Sequence, residues 1–144
     1  MSVIDDALTA FHTGMVTAMH DATEGGVFGG IYEIAEASNV GVKVYLEKIK
    51  VSEETRRICE FFKIDPYKAI SEGTLVLTVR PEGVRKVISA LERKCIEAMV
   101  IGEITAPEEG RMVVSDKIGE FELEFPEEDP FWRAFFETLE RPDS

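Results

Sequence analysis

The chain has 144 residues, 44% hydrophobic and 31% charged, which is enough for one domain with a sizeable core. Its 28 acidic and 16 basic residues leave a net charge of −12, and such a surface repels phosphate backbones and anionic lipids, so neither a nucleic acid nor a membrane is expected as partner. No apolar run approaches the roughly 18 residues needed to span a bilayer, and Met1–Asp6 lacks the basic start and apolar centre of a signal peptide, so a cytoplasmic chain is expected.

Residues 3–11 read as a short helix with Val3, Ala7, Leu8 and Phe11 on one side, and Gly14 ends it. Val16 to His20 form a short strand that runs into His20-Asp21-Ala22-Thr23-Glu24 and then into two glycine pairs, Gly25-Gly26 and Gly29-Gly30. From Val27 a helical period is clear, with Val27, Ile31, Ile34, Ala35 and Ser38 on one stripe and Glu33 and Glu36 facing away. Asn39-Val40-Gly41 closes that helix, because Asn and Gly accept left-handed backbone angles, and Val42 to Leu46 follows as a strand.

Ser52 caps a helix through about Phe62, with Thr55, Ile58, Cys59 and Phe62 on one face. Asp65-Pro66, a cap followed by proline at the first helical position, predicts a second short helix over 66–71. Thr74 to Val79 alternates and is rich in β-branched residues, hence a strand. Pro81 opens a helix with Val84, Val87, Ile88, Leu91 and Cys95 inward, and Glu97 to Ile104 reads as another strand. Arg111–Ser115 and Glu120–Phe125 form a hairpin joined near Asp116 to Gly119. The acidic run Glu127-Glu128-Asp129 reads as a solvated turn before Pro130 and an aromatic helix, Phe131, Trp132, Phe135 and Phe136, whose rings suit packing against the core, a partner domain or a second subunit.

Two β-α-β stretches, 16–46 and 74–104, and a terminal hairpin predict an α+β domain: a mixed, largely antiparallel β-sheet with helices packed mainly on one face. Cys59 and Cys95 both fall on apolar helix faces and are expected as buried, reduced thiols. His12 and His20 have no cysteine or carboxylate cluster at ligand spacing, so no metal site is expected. Ser, Cys and His form no nucleophile–base constellation, so no catalytic residue is assigned.

The stretch 16–38 is the best candidate site. A loop that leaves the carboxyl end of a strand and opens a helix presents unsatisfied N–H groups, and the helix dipole favours an anion there. Gly25 and Gly26 lack the β-carbons that would obstruct a phosphate; Gly29 and Gly30 suit close packing of helix on sheet. Thr23 either caps the helix or donates its hydroxyl to a ligand, and Asp21 either holds the loop through backbone N–H groups or faces a metal or ribose. The spacing matches neither a Walker loop nor the dinucleotide glycine motif.

"MHDATEGGVFGGIYEIAEASNVGVKV" resembles the start of the C-terminal domain of AIR (aminoimidazole ribonucleotide) synthase-related proteins. The branch it is most similar to is the hydrogenase-maturation HypE branch, with an Asp-x-Thr-x-Gly-Gly motif at Asp21, Thr23, Gly25 and Gly26 and the helix Tyr32-Glu33-Ile34-Ala35-Glu36-Ala37. "ICEFFKIDPYKAISEGTLVLTV" (58–79) and "AMVIGEIT" (98–105) extend the resemblance in order, to about residue 115. It implies that residues 1–144 are a single C-terminal domain without the N-terminal ATP-binding domain. The implied chemistry uses ATP and Mg²⁺ to phosphorylate an amide or carbonyl oxygen, which is then displaced; in HypE a C-terminal thiocarbamate is dehydrated to a thiocyanate.

The implied phosphate-facing residues are Asp21, Thr23, Gly25 and Gly26, with lesser contributions from His20 and from the turn Ser71, Glu72 and Gly73. The implied partners are an ATP-binding domain or subunit and hydrogenase-maturation proteins, with a homo-oligomer left open. Glu24 stands where many HypE members carry arginine, and the tail Arg141–Ser144 holds no cysteine for a thiocarbamate. This chain alone is therefore expected to bind nucleotide weakly and to be inactive, and the alternatives are a free-standing interaction module or a subunit that meets a separately encoded ATP domain.

Overall fold

The computed structural model describes residues 2–125 and 129–139. Five helices and six strands follow one another as α1 (Ile4–Phe11), β1 (Val16–Ala22), α2 (Gly26–Ser38), β2 (Gly41–Tyr45), α3 (Glu53–Phe62), β3 (Thr74–Val79), α4 (Val84–Glu92), β4 (Gly102–Thr105), β5 (Arg111–Ser115), β6 (Gly119–Glu122) and α5 (Pro130–Leu139). The fold is α+β, with mixed and mostly antiparallel pairing, as expected.

The strands divide into two sheets. β1 and β3 pair antiparallel, from Val16 opposite Val79 to Ala22 opposite Thr74. The other sheet has the order β4–β2–β5–β6, with β2 antiparallel to β4 and parallel to β5, and β5–β6 as the expected hairpin. The two β-α-β stretches therefore do not close as parallel units, since β1 and β2 lie in different sheets, as do β3 and β4. Period-2 patterning identifies a strand but not its neighbour, and here distant segments supply the neighbours. An apolar cleft of about 450 Å³ is lined by Leu75 and Leu77 of β3, Val42 and Val44 of β2, and Val87 and Leu91 of α4.

The main core joins α2 to the four-stranded sheet: Val27, Phe28, Ile31 and Ala35 meet Val42, Val44, Val113 and Leu123. A second cluster unites Ala10 of α1 with Val87 and Leu91 of α4. The α2 stripe is buried at Val27, Ile31, Ile34 and Ala35 as its period predicts, while Ser38 is exposed at the helix end. Asn39 closes α2 in the left-handed conformation, its N–H reaching the Ala35 and Glu36 carbonyls. Ser52 caps α3 by accepting the Thr55 N–H at 3.1 Å.

Four expectations are corrected. Residues 66–71 form turns instead of a helix. The Asp65 side chain accepts the Tyr67 N–H and the Asp65 carbonyl accepts the N–H groups of Lys68 and Ala69, but the Tyr67 carbonyl turns to Phe28 of α2. The strand foreseen over 97–104 is limited to Gly102–Thr105. Cys95 is exposed, because α4 ends at Glu92 and the chain closes the helix through a left-handed Cys95, with the Ile96 N–H on the Leu91 carbonyl. Of the α3 face only Cys59 is buried, and Ile58 and Phe62 stay open to solvent.

Candidate functional site

β1 runs two residues further than expected and ends at Ala22, so Asp21 belongs to the strand and Thr23 starts the loop. Alternation puts Ala18, His20 and Ala22 on one face of the sheet and Met19 and Asp21 on the other. His20 accordingly reaches α2, with Nε2 2.5 Å from Glu33 Oε2, whereas Asp21 stays exposed with His20 Nδ1 3.7 Å away.

The backbone carbonyl of Thr23 organises the loop. It accepts the Gly26 N–H and the Ser71 N–H, each at 3.1 Å. The two segments that the sequence proposed separately, 21–26 and 71–73, thus meet at one end of the β1–β3 pair, and the Ser71 and Thr74 hydroxyls bond to each other at 2.8 Å. The hydroxyl of Thr23 is not the cap of α2; Gly25 holds that position, with no side-chain cap. Ser71 is half-buried and Glu72 and Gly73 are exposed beside it.

Two consecutive left-handed residues follow, Gly25 at φ +75° and Gly26 at φ +64°, a sequence of angles that side chains with a β-carbon resist. At Gly26 there is a second reason. A β-carbon there would lie 2.5 Å from the Ala69 carbonyl oxygen and 2.7 Å from that of Tyr67. The 67–69 turn is braced on the start of α2, since the Phe28 N–H donates to the Tyr67 carbonyl at 3.0 Å and the two rings stack at 5.4 Å. Gly30 serves close packing of helix on strand, with a β-carbon there falling 3.3 Å from that of Ala22.

Asp129 completes the loop, and the sequence reading placed it in a solvated acidic run. Its side chain is buried, at 6% exposure. Oδ2 accepts the Gly25 N–H at 2.9 Å and Oδ1 accepts the Phe131 N–H at 2.9 Å. The residue is therefore the N-cap of α5 and an anionic acceptor on the glycine loop at once. Asp129-Pro130 carries the same cap-and-proline signature that was read at Asp65-Pro66, so its capping role was legible. Its contact with a residue 104 positions away was not. Glu127, Glu128 and the tail 141–144 lie outside the described residues.

What the arrangement offers chemically is a backbone N–H at the start of a 13-residue helix, which donates to a carboxylate oxygen. Among the described residues no group of three or more His, Cys, Asp or Glu side chains converges as a metal cradle. Burial, with Asp65 nearby, pushes the Cys59 thiol up, which disfavours the reactive thiolate. No helix among the described residues is long and apolar enough to cross a membrane.

The family model for the C-terminal domain of AIR synthase related proteins matches residues 1–115. The carbamoyl dehydratase HypE of Rhizobium leguminosarum bv. viciae is 37% identical over 93 residues, which are 63% of this chain and 27% of that protein. The crystal structure of Escherichia coli HypE, a hydrogenase maturation protein, superposes with a TM-score of 0.79 at 26% identity, over 92% of this chain and 42% of the other. A chain from a HypE–HypF complex gives 0.75 at 26% identity, over 86% and 41%. The chain thus spans about a quarter to two fifths of the length of these three relatives. With four fifths of its length matched by that model and its fold shared with HypE, the chain belongs to the AIR synthase-related family, as a C-terminal domain.

Proposed function

We propose that this domain supplies the phosphate-facing edge of a HypE-like, ATP-dependent site, which an ATP-binding domain or subunit outside residues 1–144 completes. The observation that carries the reading is the Gly25 N–H, which already holds an anionic oxygen at 2.9 Å. A phosphate oxygen has the same charge sign and acceptor geometry as that carboxylate oxygen. The Gly25 amide would bind it, the exposed Thr23 hydroxyl would add a second donor, and the Ser71–Gly73 turn would border it. Gly26 keeps the 67–69 turn close beneath the loop.

ATP, when bound, would supply an activated phosphoryl group for an oxygen that must leave. The chain's own part is to orient the phosphate end and to exclude water there. Exposed Asp21 and Glu24 put negative charge beside the loop. Two unit charges about 4 Å apart repel by about 1 kcal/mol in water and by more when desolvated. Mg²⁺ carried by the nucleotide, with ligands from the other domain, would offset this, and the isolated chain would then bind weakly and turn over nothing. A hydrogenase-maturation protein is the partner class that fits a HypE-like whole.

The second reading, a non-catalytic interaction module, draws on α5, whose Phe131, Trp132, Phe135 and Phe136 rings are 36–56% exposed. Backbone amide NMR separates the two readings. Titrating ATP with Mg²⁺ into the chain, alone and with the ATP-binding domain of a full-length relative, should move the Thr23–Gly26 and Ser71–Thr74 amides, more strongly with the added domain. Amides that stay still in both titrations, and in a variant whose Gly25 N–H is vacated, would leave the interaction module as the surviving reading.

A further inference from the structure

We propose that α5 is an intramolecular latch, in which Asp129 occupies the loop amide that a phosphate needs, so that latch closure and phosphate binding exclude each other. This deepens the reading given above and rests on it. The two parts of the latch come from opposite ends of the chain, Gly25 at the start of α2 and Asp129 at the start of α5.

Aspartate is rarely buried without compensation, because removing a carboxylate from water is costly. Asp129 is 6% exposed, and its carboxylate accepts the backbone N–H groups of Gly25 and Phe131. Charge-assisted hydrogen bonds of this kind are roughly twice as strong as neutral ones. One of the two is local and needs only α5 itself, as an ordinary N-cap. The other crosses to the glycine loop and seats the helix there. The four aromatic rings of α5 contact one another at 5.3 to 6.4 Å between centroids and are 36–56% exposed.

A single amide hydrogen cannot serve two anionic oxygens at full strength. A phosphate arriving at Gly25 must displace Oδ2 of Asp129, and charge repulsion then drives the carboxylate outward. Oδ1 can keep its bond to Phe131, so α5 stays capped while it leaves the loop. Opening would move the aromatic face of α5, and with it the only tryptophan of the chain, Trp132. Nucleotide phosphate would thus be converted into the release of an apolar helix.

The test compares the full chain with Asp129→Ala and Asp129→Asn, using inorganic pyrophosphate with Mg²⁺ as probe. The Gly25 amide reports occupancy by NMR and Trp132 fluorescence reports release, with thermal melts verifying that each variant folds. Asp129→Ala should bind pyrophosphate at least about ten-fold more tightly than the parent, a difference of about 1.4 kcal/mol. Asp129→Asn, which keeps an acceptor but loses the charge, should fall between. The Trp132 emission of the parent should shift on titration towards that of unliganded Asp129→Ala.

Equal affinities in all three chains, with the Gly25 amide moving in each, would overturn the latch and leave the phosphate site standing. No movement of Gly25 in any chain, Asp129→Ala included, would overturn the phosphate site itself and the latch with it. Should Asp129→Ala not fold, the comparison of Asp129→Asn with the parent decides, with equal affinities again overturning the latch.

Discussion

The strands β2 and β5 at the centre of the four-stranded sheet and the strand β3 of the β1–β3 pair bury their residues to very different degrees. Val44, Val113 and the adjoining Leu123 are 0–2% exposed and sealed against α2. Every residue of β3, by contrast, is only half-buried, and its side chains line an apolar cleft. The candidate site stands at the end of the less densely packed pair, where Thr23, Gly25 and the Ser71–Gly73 turn come together. Dense packing holds the fold, and the end of the β1–β3 pair leaves the polar side chains of Thr23 and Glu72 exposed to meet other atoms.

Truncation gives the largest expected contrast. Leu123→Ala should cost about 3 kcal/mol in urea denaturation, through lost burial and the cavity left behind. Leu77→Ala, on half-buried β3, should cost about 1 kcal/mol, since less apolar area leaves water there to begin with. Equal losses would break the comparison.

Two glycines sharpen it. Gly26→Ala combines a left-handed φ of +64° with a β-carbon 2.5 Å from a backbone oxygen, and should cost about 2 kcal/mol. Gly14→Ala has a similar φ of +71° but nothing within 4 Å of the new β-carbon, so only the conformational cost of about 1 kcal/mol applies. Thermal or urea melts that rank the two in the opposite order would sink the idea that the 67–69 turn presses on the loop.

The smallest effect concerns pH. Glu47, in the turn after β2, accepts the Ser115 hydroxyl at 2.6 Å and the Asp116 N–H at 3.1 Å. The Ser115 bond holds its carboxyl below the ordinary value of 4.5. A carboxyl lowered on folding adds stability that is complete above that ordinary value and is lost as pH falls through the folded one. Glu47→Gln should therefore flatten the acid limb of stability below about pH 4.5, and leave the Gly25 amide shift unchanged. A variant that melts in acid just as the parent does would remove Glu47 from the account.

Much of the local structure was legible. The α2 stripe, the Ser52 cap, the Asn39 stop and the β5–β6 hairpin each depend on residues a few positions apart, whose angles and hydrogen bonds their types decide. The overlong reading of 97–104 and the helix foreseen at 66–71 failed for one reason. Local propensity allowed both, and tertiary partners outbid it: the Tyr67 carbonyl is used by Phe28, and the ladder with β2 is limited to Gly102–Thr105. Cys95 was misjudged because α4 stops a turn early, which rotates that residue off the apolar face.

The candidate site divides in the same way. Asp21, Thr23, Gly25 and Gly26 mark a special turn by type and spacing alone, because two successive left-handed angles require glycine whatever lies nearby. The presence of Ser71 beside Thr23, the backbone of Tyr67–Ala69 under Gly26, and above all the carboxylate of Asp129 on the Gly25 amide came from the tertiary structure. Those contacts span 41 to 104 residues. A one-dimensional pattern carries angles and faces, which are local; which distant polar group ends up satisfying a buried amide is settled only when the chain has packed and water has been excluded.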